Sequence, residues 1–284
     1  MPAPETKNDR RRAARERARQ AMAAQRRSAA RRALAIRSGI VAGVIAVLAV
    51  VALVVVSGIT PPGPGPRNLA GDGVRIGEGF VAERSVALQP GAEATPPAAH
   101  DADAVTIRVY IDYLCPNCGA FEAENGDYIE GLVKSGAAVV EYHPIAILDR
   151  LSQGSKYSTR ATAAALCAAD LAPDSFFAVN AKLLADQPAE NTAGLTNEQL
   201  VSQISGTRGL KNPAAVAECV RDQRFAPTVA AVTKRVADNA TAGSDVAEFR
   251  GTPTVIIDGR QWEAGAQTFR AAVASATATR AAAE

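Results

Sequence analysis

The sequence predicts an α/β domain, broken by a long helical block and set behind one apolar N-terminal helix. Three observations carry this reading. Residues 105–111 alternate apolar and polar side chains with the period of a strand, and lead through a helix-compatible stretch into a second strand near 137–143. Helix signals fill about 150–245 before the chain returns to strand at 253–258. Far upstream, residues 38–59 form an uncharged apolar run.

Apolar residues make up 48% of the 284 positions and aromatics only 5%, which fits an alanine- and valine-rich globular protein and excludes a disordered one. The net charge of +2 conceals an asymmetry. Residues 1–37 carry eleven Arg and Lys7 against Glu5, Asp9 and Glu16, residues 38–66 carry no charge, and the remainder is acidic. Ile40 to Val56 contains only Ile, Val, Ala, Leu and Gly. With its flanks the run reaches about 20 residues, enough to cross a bilayer as a helix with its backbone bonded internally. A buried core helix would rarely lack polar residues all round. A cleaved signal peptide is the nearer rival, but the run exceeds an ordinary h-region and no A-x-A-like site follows.

The expected layout is therefore a basic cytoplasmic tail at 1–37 and an uncleaved single-pass transmembrane helix at 38–59. The rest then lies outside the cytoplasm, because Arg-rich flanks resist translocation. The tail could instead bind nucleic acid or acidic lipid headgroups. Topology already accounts for its charge, so a membrane and no nucleic acid is the expectation.

Pro61, Pro62, Pro64 and Pro66 open a Pro/Gly-rich spacer over 60–104, with room for one short hairpin near Val74, Ile76, Phe80 and Val86. The folded domain is expected over 105–284. Val105, Ile107, Val109 and Ile111 form its first strand, a helix covers about 118–134, and Ala137–His143 form a second strand that Pro144 ends. Lys156 to Leu171 reads as helix, and Pro173 suits the first turn of the next one. Thr196 and Gln199 fit a capping box, and Asn212-Pro213 reads as a cap opening a helix that holds Cys219. A further helix is expected over 225–242. Asp258-Gly259 marks a tight turn after the last long strand, and 267–274 looks helical.

Chemistry concentrates at Cys115-Pro116-Asn117-Cys118, where the first strand gives way to its helix. A helix N-terminus offers unpaired N–H groups and a partial positive charge, and both favour a thiolate at Cys115. Cys118 lies one turn in, placed to close a reducible ring, and Pro116 suits the first helical position. Two blander readings stand beside this one. The pair could be half of a zinc site completed by Cys167, Cys219, His100 or His143, although no second close pair exists. It could also be a purely structural disulfide. No metal and no cofactor is expected. His143 reads as structural, Asp112 as a solvated strand-end acid, and Trp262 and Phe269 as packing residues.

The segment Tyr110 to Cys118, reading Tyr-Ile-Asp-Tyr-Leu-Cys-Pro-Asn-Cys, resembles the active-site segment of the DsbA-like thioredoxin family. Gly251-Thr252-Pro253-Thr254 before Val255-Ile256-Ile257 resembles that family's cis-proline loop. The similarity spans roughly residues 70–280, and the anchored four-cysteine layout is similar to that of actinobacterial members. The resemblance implies a thioredoxin-like fold with an inserted helical domain over about 150–245. It makes Cys115 the nucleophile, Cys118 the resolving thiol and Pro253 a cis-proline, with Thr252 beside it for substrate pairing. Pro116-Asn117 departs from the Pro-His of the best-known members, and this dipeptide helps set thiolate stability. Outside the cytoplasm thiols are not kept reduced, small residues flank Cys167 and Cys219, and the similar proteins carry a second bridge, so a Cys167–Cys219 disulfide is expected.

The function implied is an extracytoplasmic oxidase that introduces disulfides into reduced or unfolded exported proteins, reoxidised by a membrane partner of the DsbB or VKOR type. An isomerase or reductase of the same fold is the alternative within this chemistry. A membrane-tethered binding or chaperone module with structural cysteines is the alternative outside it.

Overall fold

The computed structural model describes residues 63–69, 71–89, 91–92, 104–239 and 243–282, together with Met22 and Gly43. The expected basic tail, the apolar span 38–59 and His100 otherwise lie outside the described residues. Among those described, no helix is long and apolar enough to cross a membrane.

Five strands form one sheet in the order β1-β3-β2-β4-β5. The central strand β2, Val105–Ile111, buries Val105, Ile107, Val109 and Ile111 on one face. Its other face is partly covered too, and Tyr110 is only 2% exposed. Helix α1, Pro116–Lys134, carries the chain over to β3, Ala138–Pro144, which pairs parallel to β2 with Val109 opposite Tyr142. This is the predicted strand–helix–strand unit.

Strands β4, Thr254–Ile257, and β5, Arg260–Trp262, form an antiparallel hairpin on the other side of β2. Asp258 and Gly259 turn it, both with positive φ (48° and 79°), as a two-residue primed turn requires. The Asp258 carboxylate accepts from Thr106 N–H at 2.9 Å and from the Arg280 guanidinium at 2.6 Å twice over. It thereby ties the hairpin to β2 and to the C-terminal helix α7, Phe269–Ala281.

The stretch expected as a spacer is corrected by the structure. Val74–Ile76 forms strand β1 and pairs antiparallel with β3, so this part of the expected spacer belongs to the sheet and the folded domain does not begin at 105. All three β1 residues are buried. Arg75 reaches Glu141 at 3.4 Å and Glu83 at 3.3 Å, and Asp72 receives a two-point bond from Arg235 at 2.5 and 2.7 Å. A bridge from Ile76 to Ala82 is all that remains of the hairpin.

The helical insertion holds α2 (Tyr157–Leu171), α3 (Phe176–Ala185), α4 (Asn197–Ser205), α5 (Pro213–Arg221) and α6 (Ala226–Asn239). Its alanine-rich α2 has eleven buried residues, because small side chains let neighbours approach from several sides. The capping box is present: Thr196 Oγ1 accepts from Gln199 N–H at 3.2 Å, and Gln199 Oε1 accepts from Thr196 N–H at 2.8 Å. Asn212 departs from its expected role. Its φ is 49° and its amide donates to the Leu171 carbonyl at 2.8 Å, so it joins α5 to the end of α2 and makes no cap bond.

Candidate active site

Cys115 is the N-cap of α1, and Pro116 fills the first turn without needing an N–H there. The Cys115 carbonyl accepts from Cys118 N–H at 3.0 Å, from Gly119 N–H at 3.3 Å and from Gln187 Nε2 at 3.1 Å. Both thiols are free and buried, Cys115 at 4% exposure and Cys118 at zero. Pro116 and Asn117 are exposed between them.

The Thr252–Pro253 peptide is cis, and its loop lies against the pair: the Cys115 sulfur is 3.1 Å from the Thr252 carbonyl, to which it donates when protonated. The two motifs are 137 residues apart in sequence and in contact in space. Cys167 and Cys219 are joined 5.8 Å apart at Cα, tying α2 to α5. That bond takes the two cysteines which a four-cysteine zinc site would need.

Electrostatics separates the two thiols. A hydrogen bond from the Cys118 side chain is the largest influence on Cys115. With help from Thr252 and the N–H groups of Cys118 and Asn117, it outweighs burial and brings the Cys115 thiol down to about 6. Burial pushes Cys118 well above the ordinary thiol range, and its bond to Cys115 adds to this. At neutral pH, Cys115 is therefore a thiolate and Cys118 a thiol.

Asp112 is not solvated. It is fully buried, and its Oδ1 accepts from Leu114 N–H at 2.9 Å. Oδ2 accepts from Ile147 and Leu148 N–H at 2.9 and 3.0 Å, which ties the approach to Cys115 to the segment after β3. Burial holds its carboxyl above the usual range against these bonds. The i to i+2 bond to Leu114 is an Asx turn, a pattern open to a reading from sequence. Gln187 carries no mark in the sequence, because a lone glutamine in a loop gives no signal. Trp262 and Phe269 pack as expected, with ring centres 5.6 Å apart and both against Phe121. His143 is buried against Tyr110 at 4.6 Å between centres, with Gly73 directly beneath it.

A strand-to-helix dithiol facing a cis-proline loop, on this sheet with a helical insertion, places the chain in the class of DsbA-like thiol–disulfide oxidoreductases. A family model described as thioredoxin matches residues 99–274, and the chain belongs to that thioredoxin family. It is similar to the reduced disulfide bond oxidoreductase DsbG of Mycobacterium tuberculosis, with TM-score 0.53 and 28% identity over 74% of this chain and 95% of that one. Reduced DsbA of the same organism gives TM-score 0.52 and 28% identity over 74% and 100%. The serine/threonine-protein kinase PknE of M. tuberculosis is 31% identical over 119 residues, which are 41% of this chain and 21% of the kinase. The chain thus spans about a fifth of the length of the curated relatives it matches.

Proposed function

We propose that this protein introduces disulfides into reduced exported proteins, from outside the cytoplasm and anchored by residues 38–59. The observation that carries the proposal is the split between the thiols, with Cys115 near 6 and Cys118 far above it. A sulfur that is stable as a thiolate is a good leaving group.

In the oxidised form Cys115 and Cys118 share a disulfide. A substrate thiolate attacks the Cys115 sulfur and forms a mixed disulfide, and Cys118 leaves as a thiolate and takes up a proton. A second substrate thiolate then attacks the substrate sulfur of that bond, and Cys115 departs as a thiolate. The substrate has lost two electrons and gained one disulfide, and the protein has gained those electrons. A membrane quinone-linked partner of the DsbB or VKOR type would take them up. Support for the extracytoplasmic setting comes from the uncharged run 38–59 behind an Arg-rich tail, and from a bridged Cys167–Cys219 pair.

Refolding of reduced ribonuclease beside unscrambling of mispaired ribonuclease tests the direction. Activity on the reduced substrate is expected. Activity confined to the mispaired one would make the protein an isomerase. The Cys118→Ala variant should accumulate mixed disulfides with its substrates, and their absence would point to a binding module.

A further inference from the structure

One helical turn beyond the redox pair, α1 and α3 face each other across a cleft of about 210 Å³. Three carboxylates line it, Glu122, Asp127 and Glu130, and no lysine or arginine does. Gly119 and Gly126 on α1 and Ala181 on α3 keep its walls low, and the Phe177 ring supplies an apolar surface.

Glu122 is the unusual member. It is 9% exposed, and its Oε2 has no hydrogen-bond partner. The neutral Tyr142 hydroxyl is the one group that leans on this carboxyl and lowers it slightly, but the two form no bond of good geometry. A Cβ on Gly126 would stand 3.1 Å from Glu122 Oε1, so the glycine leaves room for the carboxyl along the cleft wall. Burial holds this carboxyl up at about 7. A buried acid with no charged partner is costly to ionise, and an entering cation would relieve that cost. Among the described residues no three His, Cys, Asp or Glu side chains gather closely enough for a metal ion, so an organic cation fits better. The volume is below that of drug-sized ligand sites, and suits a single side chain.

We propose that this cleft receives a lysine or arginine side chain of the thiol substrate while the substrate's cysteine engages Cys115. The proposal rests on the disulfide-exchange reading above and names a substrate preference for it. Gly119, at the near end of the cleft, donates to the Cys115 carbonyl. Glu122 lies seven residues beyond Cys115 in sequence, about 10 Å along a helix axis. About three residues of extended chain cover that distance, which sets the spacing between the substrate's cysteine and its basic residue.

Two measurements test this on the full-length protein. In the first, n-butylguanidinium is titrated while the backbone amides of Gly119 and Gly126 are followed by NMR. Saturable shifts are expected in the wild type, weakened on the order of fivefold in Glu122→Gln. Ala181→Leu, which fills the cleft and leaves every carboxylate in place, should abolish them. An absence of saturable shifts in the wild type overturns the proposal. In the second, cysteine peptides with lysine or norleucine three residues from the cysteine are oxidised in parallel. The lysine peptide is expected to show a lower KM by on the order of fivefold, with the ratio falling to about one in Glu122→Gln. Equal KM values in the wild type overturn the proposal. Failure of both peptides to react counts against the disulfide-exchange reading alone, and the guanidinium titration then decides the cleft.

Discussion

Gln187, just beyond α3, donates its amide N–H to the carbonyl of Cys115 at 3.1 Å. The insertion therefore touches the backbone of the redox turn directly. Gly119 makes the contact feasible, because a Cβ there would stand 2.5 Å from Gln187 Oε1 and 3.1 Å from the Leu184 carbonyl.

The two residues should therefore behave as a unit. Gln187→Ala is expected to cost about 1 kcal/mol, the ordinary loss of one hydrogen bond. Gly119→Ala should displace the amide and cost stability despite alanine's better helix propensity. In the Gln187→Ala background the same change should cost less, with a coupling of about 0.5–1 kcal/mol in a double-mutant cycle by urea unfolding. Strict additivity would contradict the contact.

Cys115 reactivity should rise with pH around a midpoint of about 6. Alkylation of the reduced protein by iodoacetamide at a series of pH values measures this. A midpoint near the ordinary cysteine value of about 8.5 would refute it. Cys118→Ala removes the largest stabilising bond and should move the midpoint upward. The sign for stability follows from the lowered value. The reduced fold gains from this thiolate fully above the unfolded thiol's pKa, and loses the gain as pH falls through about 6.

Asp112→Ala should be among the most damaging substitutions near the site. It removes the acceptor for three backbone N–H groups, those of Leu114, Ile147 and Leu148. An expected loss of about 3 kcal/mol follows from leaving such donors unpaired. Asp112→Asn keeps one acceptor oxygen and should lose less. Equal stability of wild type and the alanine variant in chemical denaturation would rule out this tie.

Gly73→Ala tests whether β1 belongs to the domain. The added Cβ would lie 2.5–2.8 Å from three imidazole atoms of His143, which is buried on β3 and cannot move away freely. Overpacking of this kind costs about 1–3 kcal/mol. A thermal midpoint unchanged by the substitution would show that this end of the chain is not docked on the sheet.

The parts of this fold visible in the sequence are those whose signal is local and periodic. β2 alternates, α1 begins at Pro116, and Asp258-Gly259 is a turn by chemistry alone. The pairing of β1 with β3 is not legible, because β1 has only three residues, all buried, between glycines that read as loop. Its single charge, Arg75, is paired through contacts no local pattern reveals. At the site, Cys115, Cys118, Thr252 and Pro253 carry a recognisable pattern. Asp112 looked solvated because an acid at a strand end usually is, and its partners Ile147 and Leu148 lie beyond the next helix and strand. Gln187 and Glu122 acquire their roles only through the packing of α3 on α1.

The reactivity of Cys115 depends on parts of the chain that are made at different times. Its thiol is lowered by Cys118 and the first turn of α1, which are close in sequence, and also by Thr252, which is synthesised 137 residues later. Cys167 and Cys219 both emerge before Thr252. Until the last strands dock, Cys115 lacks part of what makes it an unusual thiol. The completed fold, and not the local motif alone, sets how readily Cys115 ionises.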